Sequence, residues 1–283
     1  MLLSFTLAAL PVIVPASVCS SSACPQADTM PQAVYQDGEK DSSEGSPTNP
    51  LFGDETKTLV RLTTSDRLHL AANYYPPRSR TKRAPAVILV HDAGKNRRSL
   101  LPLAQYLNKK GLATLVLDLR GHGESATEKL DWAKLDERGQ TTQWAFAVRD
   151  LTAAAKFLRS QKGVHTANLT VIGMGAGSNL ALRHALDDEN VRATVLLNPP
   201  ATALGFKLGP ALTELGGLPC LIVSPKEGKA ANCKLRDQCH EENDGLEYVE
   251  LQNLKSKAKD MLDDKRLNNG VFTWLKDRIL TKK

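Results

Sequence analysis

Five short, uninterrupted apolar runs recur along the chain, separated by amphipathic stretches, and this rhythm restricts the fold more than any other feature. The runs are Ala86–Val90 (AVILV), Ala113–Leu117 (ATLVL), Leu169–Ile172 (LTVI), Ala193–Leu197 (ATVLL) and Cys220–Val223 (CLIV). A strand that is apolar on both faces is buried on both faces, which is the condition of a parallel sheet covered by helices. Between the runs the apolar residues fall on helical spacing. Leu100, Leu103, Ala104 and Leu107 share one face of a helix within Ser99–Lys110, and Gly111 ends it. Trp144, Ala147, Val148, Leu151, Ala154, Ala155 and Leu158 predict a second helix over Trp144–Gln161. Ser178–Leu186 and Val271–Leu280 predict two more. Two β-rich runs, Thr58–Thr63 and Leu68–Tyr75, flank Thr64-Ser65-Asp66-Arg67 and read as an opening hairpin. Leu246–Leu251 alternates and reads as a last strand. The expected architecture is α/β: a mostly parallel central sheet, an N-terminal antiparallel hairpin and helices on both faces.

The residues before this pattern are of a different kind. Met1–Val18 carries no charge, but it is too short and too Pro-broken for a membrane span. It reads as the apolar core of a signal peptide ending near Ala23, without the usual basic start. Residues 24–55 are rich in Ser, Pro, Asp, Glu and Gly and have little to bury, so they read as a disordered linker. The expected division is therefore a signal peptide over 1–23, a linker over 24–55 and a single domain over 56–283. Export follows as an expectation, to the periplasm, the cell surface or the medium.

Charge narrows the partners. Up to residue 51 there are five acids and one base, which leaves 36 of the 37 bases and 26 of the 31 acids for the rest. That excess is scattered, and aromatics make up only 5% of the chain, so no basic stripe interleaved with stacking residues invites nucleic acid. Cys233 and Cys239 lie close enough in sequence to pair in an oxidising compartment, while Cys220 reads as a small core residue. His240 beside these two cysteines matches no zinc spacing, and no metal or cofactor motif is present.

In doubly wound sheets the chemistry sits in loops after the carboxyl ends of the strands. Here those loops read His91-Asp92-Ala93-Gly94, Asp118-Leu119-Arg120-Gly121-His122-Gly123-Glu124-Ser125, Gly173-Met174-Gly175-Ala176-Gly177 and Ser224-Pro225-Lys226-Glu227-Gly228. Together they resemble the α/β-hydrolases, of the small dienelactone-hydrolase or serine-aminopeptidase-like kind, over roughly residues 57–280. The segment DLRGHGES is the most specific match. Only Asn198–Pro219 separates the fourth and fifth apolar runs, too few residues for a lid domain.

The resemblance implies a G-x-S-x-G elbow, with serine on a tight strand-to-helix turn. This chain has glycine there, Gly175, which cannot form an acyl-enzyme. Ser178, the fallback nucleophile, lies one helical turn on and reads as a helix-start residue. The family's histidine should follow the last strand, yet none of the six histidines lies beyond residue 240. Lys257 falls near its place and is a poor general base at neutral pH. Glu227 falls where the acid belongs. The oxyanion donors would be the N–H of Ala176 and of the loop beginning His91-Asp92, where the Asp92 carboxylate opposes developing negative charge or points to solvent. The reading is a non-catalytic, exported member of the fold that binds an undetermined small molecule or protein. The alternative is an active esterase or peptidase-like hydrolase that uses Glu227, Lys257, Ser178 or Asp92 in a non-standard set.

Overall fold

The computed structural model describes residues 57–78, 83–242 and 249–280. The expected signal peptide and linker lie outside the described residues. Eight strands form one sheet: β1 (Thr58–Thr63), β2 (His69–Tyr75), β3 (Ala84–Val90), β4 (Ala113–Leu117), β5 (Val164–Met174), β6 (Val191–Leu197) and, after a two-residue hairpin of β7 (Thr202–Ala203) and β8 (Phe206–Lys207), β9 (Cys220–Ser224) and β10 (Val249–Asn253). Their spatial order is β1-β2-β4-β3-β5-β6-β9-β10. β2 is antiparallel to both β1 and β4, and every other neighbouring pair is parallel. The chain leaves β3 toward one edge to make β4, then returns across β3 to make β5. The order reverses there, so the loops after β3 and β5 face each other at the switch point, where such sheets bind ligands.

Alternate residues of the central strands feed two cores, which explains why those strands read as continuous apolar runs. Ile88 and Val90 of β3 face the core shared with α3 (Val148–Ser160), α4 (Gly177–Asp187) and α5 (Leu208–Thr213). Val87 and Leu89 face the core shared with α1 (Leu101–Lys109) and α7 (Lys265–Leu275).

Three expectations need correction. The single helix over Trp144–Gln161 is two, α2 (Glu137–Phe146) and α3, meeting at Ala147. Asp136 caps α2 through Gly139 N–H, so that helix starts about two turns earlier than its apolar residues indicate. The closing helix begins at Lys265, not Val271, because Asp264 caps it, and its end widens over Lys276–Leu280. The segment holding Cys233, Cys239 and His240 is a helix, α6 (Lys229–Glu242). Residues six apart on a helix are separated by about 9 Å along its axis, beyond disulfide range, and Cys233 is a free thiol. The expected strand start at Leu246 lies outside the described residues, while β10 itself begins at Val249. No described helix is long and apolar enough to cross a membrane.

The loop after β4 is fixed by buried charge. Arg120 is almost fully buried and meets Asp150 of α3 through Nη2 (2.7 Å), Nε (3.0 Å) and its own backbone N–H (2.9 Å). Nη1 reaches Asp66 in the β1–β2 turn at 2.9 Å. Removing one partner of a buried pair strands the other in a medium that cannot solvate it. Replacing Arg120 by Met should therefore cost about 3–5 kcal/mol in chemical denaturation, and adding Asp150→Leu to that variant should restore part of the loss.

Candidate functional site

The turn between β5 and α4 keeps the elbow geometry. Gly175 has φ +53°, a left-handed conformation that a side chain rarely adopts. The outer glycines are needed for close approach: a Cβ on Gly173 would lie 2.3 Å from the Gly177 carbonyl oxygen, and a Cβ on Gly177 would lie 2.3 Å from that of His91. The end of β3, the end of β5 and the start of α4 thus touch backbone to backbone.

Over Gly175 sits the side chain of Asp92. Its Oδ1 accepts the N–H of Ala176 at 2.7 Å and that of Ala93 at 2.8 Å. These are the two donors, one after the elbow residue and one from the loop after β3, that an oxyanion would use in this architecture. A Cβ on Gly175 would fall 2.2–2.4 Å from the Asp92 Cγ, Oδ1 and Oδ2, so a side chain at 175 and the carboxylate of 92 claim the same volume. The sequence places Asp92 beside this site, opposing charge or pointing to solvent. In the structure it fills the site and is held there. Burial raises its carboxyl pKa, opposed by the N–H groups of Ala176 and Ala93 and by the nearby Lys95.

Two buried histidines set the loop that carries Asp92. His91 Nδ1 donates to its neighbour's carbonyl, Asp92 O, at 2.7 Å, while Nε2 accepts from Leu119 N–H at 3.0 Å. His122 Nδ1 donates to Arg120 O at 2.9 Å, and Nε2 accepts from Gly94 N–H at 3.1 Å. A ring that donates through one nitrogen and accepts through the other is neutral. Burial lowers both pKa values, and for His91 burial together with the neighbouring His122 brings it to about 3. The His122 ring lies 4.4 Å from that of Trp132 and 4.9 Å from that of His91, so these rings pack the loops together.

The other candidates are placed apart. Ser178 is fully buried, and its Oγ donates to Gly173 O at 2.9 Å, back into the strand it follows. Glu227, exposed after β9, accepts the Ala258 N–H at 3.2 Å and so touches the loop after β10, next to the exposed Lys257. His240 lies on α6 and bonds Val249 O at 3.0 Å. No group of three metal-ligating side chains converges among the described residues. Asp92's place inside the cradle could not be read from its position alone. The available signal was the pairing of a missing side chain at 175 with an added carboxylate at 92.

Comparison with known proteins agrees with this fold. Residues 81–216 match the serine aminopeptidase S33 family model. The α/β-hydrolase GrgF from Penicillium sp. sh18 is 17% identical, with a TM-score of 0.64 over 79% of this chain and 99% of that one. The esterase Pf2001 from Pyrococcus furiosus is 16% identical, with a TM-score of 0.63 over 86% of this chain and all of its own length. A dienelactone hydrolase from Anabaena variabilis is 17% identical, with a TM-score of 0.58 over 79% of this chain and 96% of that one. Comparison with curated proteins finds no match.

Two outcomes follow from the site. Gly175→Ala should destabilise the protein by more than about 2 kcal/mol, through its positive φ and the collision with Asp92. In a double-mutant cycle with Asp92→Gly the combined cost should fall below the sum, because the collision disappears. The histidines give an acid limb. The unfolded imidazoles take up protons below about pH 6.5, whereas folded His91 resists down to about 3. Its contribution to stability is therefore full above pH 6.5 and is lost as the pH falls toward 3. His91→Gln should flatten that limb of a stability–pH profile. Strand order, elbow and structural likeness together show that this chain has the α/β-hydrolase fold.

Proposed function

We propose that this chain is a non-catalytic α/β-hydrolase-fold protein, exported, that binds a small molecule or another protein instead of turning a substrate over. Acyl transfer on this scaffold needs a nucleophile at the elbow, a base to take its proton and donors free to receive an oxyanion. The observation that carries the proposal is the Asp92 carboxyl bonded to Ala93 and Ala176 N–H, which fills the place where catalysis would build a negative charge. Gly175 supplies no nucleophile, Ser178 spends its proton on Gly173 O in full burial, and Lys257 occupies the histidine's region. Export rests on residues 1–23 and is checked by N-terminal sequencing of the secreted protein.

One observation favours the alternative of an active hydrolase with a non-standard set. Among the described residues, Oδ2 of Asp92 takes no hydrogen bond, which leaves an oxygen free over the elbow. Assay with short-chain p-nitrophenyl esters and labelling with a fluorophosphonate separate the two readings. The expected result is no turnover above buffer and no adduct, for the natural chain and equally for Gly175→Ser. Turnover that disappears in Asp92→Asn, or an adduct on Ser178, would replace the binding role with an enzymatic one.

A further inference from the structure

We infer that a second ligand site, for a small phosphate ester, lies at the amino end of the sheet, remote from the elbow. It does not depend on whether the elbow turns a substrate over.

β5 and β6 both lose register at that end. β5 takes five steps from Val164 to Leu169 while β3 takes two, from Ala84 to Ala86. β6 takes two steps from Val191 to Ala193 while β5 takes one, from Leu169 to Thr170. Residues in excess are turned out of the ladder, and such bulges re-aim side chains. Among those turned out are His165, Ala167, Asn168 and Arg192, and all four line one cleft of about 560 Å³. The loop Leu215–Pro219 before β9 and the widened end of α7, at Arg278 and Ile279, complete its wall. Eight residues of β5 and its turn separate Ala167 from Gly175, roughly 25 Å at the rise of a strand.

The polar groups of the cleft are held in place. The Ala167 carbonyl accepts Arg192 Nε at 3.0 Å, and the Ala167 N–H donates to His165 Nδ1 at 3.3 Å. Arg192 is exposed, and among the described residues its two Nη groups have no partner, so the guanidinium is oriented with its fork open. A neutral ring that accepts through Nδ1 carries its proton on Nε2, which makes exposed His165 a donor as well. Asn168 Nδ2 donates to Ile279 O at 2.9 Å and so ties the end of α7, with Arg278, to β5. Arg278 is paired with Glu250, but among the described residues no carboxylate lines the cleft itself. Gly216 and Gly217, at φ +56° and +96°, bring bare backbone to its wall.

This lining selects the ligand. Arg192, His165 and Arg278 stand on three different elements, and the terminal oxygens of a phosphate accept from several directions at once. A carboxylate has two oxygens in one plane, which a single guanidinium fork fills. A bare phosphate ion would leave most of the cleft empty. The volume is that of a small-molecule site, and Leu215, Leu218 and Ile279 offer an apolar side for the organic part of an ester.

The test titrates the full natural chain, Arg192→Gln and Arg61→Gln with phenyl phosphate, sodium phosphate and sodium acetate, at constant ionic strength kept with sodium chloride. Arg61 is exposed on the edge strand β1 and matches the charge change. In ¹⁵N spectra of the natural chain, phenyl phosphate should shift the amide signals of Ala167, Arg192, Gly216 and Gly217 to saturation. Inorganic phosphate should bind more weakly, and acetate more weakly still. Arg192→Gln should weaken phenyl phosphate about tenfold, the loss of a charged hydrogen-bonding partner, while Arg61→Gln leaves it unchanged. Absence of saturable shifts at these amides would overturn the site, and so would equal affinity in the two variants. Equal affinity for acetate and phosphate would overturn the phosphate assignment, and equal affinity for the ion and the ester would overturn the ester. If Arg192→Gln fails to fold, Arg192→Lys, which keeps the charge but not the fork, is held to the same comparison.

Discussion

A strand end, a turn and a helix start meet at Gly173, Gly175 and Gly177 with backbone against backbone, and the rest of the site is arranged around that contact. The outer glycines have no room for a Cβ, since carbonyl oxygens of Gly177 and His91 lie 2.3 Å from where each would be. This close approach brings the loop after β3 against the first turn of α4. The N–H groups of Ala93 and Ala176 consequently point at one spot. The sheet order makes that spot a crevice, because β3 and β5 are neighbours whose connections leave in opposite directions.

What fills the crevice is decided by the middle glycine. With a side chain at 175, the Asp92 carboxylate would have nowhere to lie. Without one, the donors would be left to water or to an outside anion, and Asp92 takes them instead. The Asp92 carboxyl thus occupies the place where a hydrolase must be ready to receive negative charge.

The loops are held by groups whose protonation is fixed by their partners. His91 and His122 each donate to one carbonyl and accept from one backbone N–H, so neither can charge without breaking a bond. Arg120 spans Asp150 on α3 and Asp66 in the first hairpin, linking elements far apart in sequence. In DLRGHGES, Asp118 accepts from the Arg97 and Glu124 N–H groups at 2.7 and 2.8 Å, and Ser125 Oγ donates to Asp118 O. The specificity of that sequence segment is structural: Asp118, Arg120, His122 and Ser125 are buried fasteners between loops.

The fold was legible because burial on both sheet faces forces continuous apolar runs, and helices against those faces force the 3.6 spacing. The strands at Ala86–Val90 and Ala193–Leu197 were readable for that reason. The starts of α2 and α7 were not, since Asp136 and Asp264 begin them with polar turns that carry no apolar period. α6 was missed because its polar sequence presents no clear apolar face. For the site, the sequence by itself determined what is missing: a side chain at 175 and a histidine after the last strand. Only the tertiary structure decided what Asp92 does. Whether a carboxylate faces solvent or enters a cradle depends on two N–H groups that lie 83 residues apart along the chain. Only folding brings them within one hydrogen-bond length of the same oxygen.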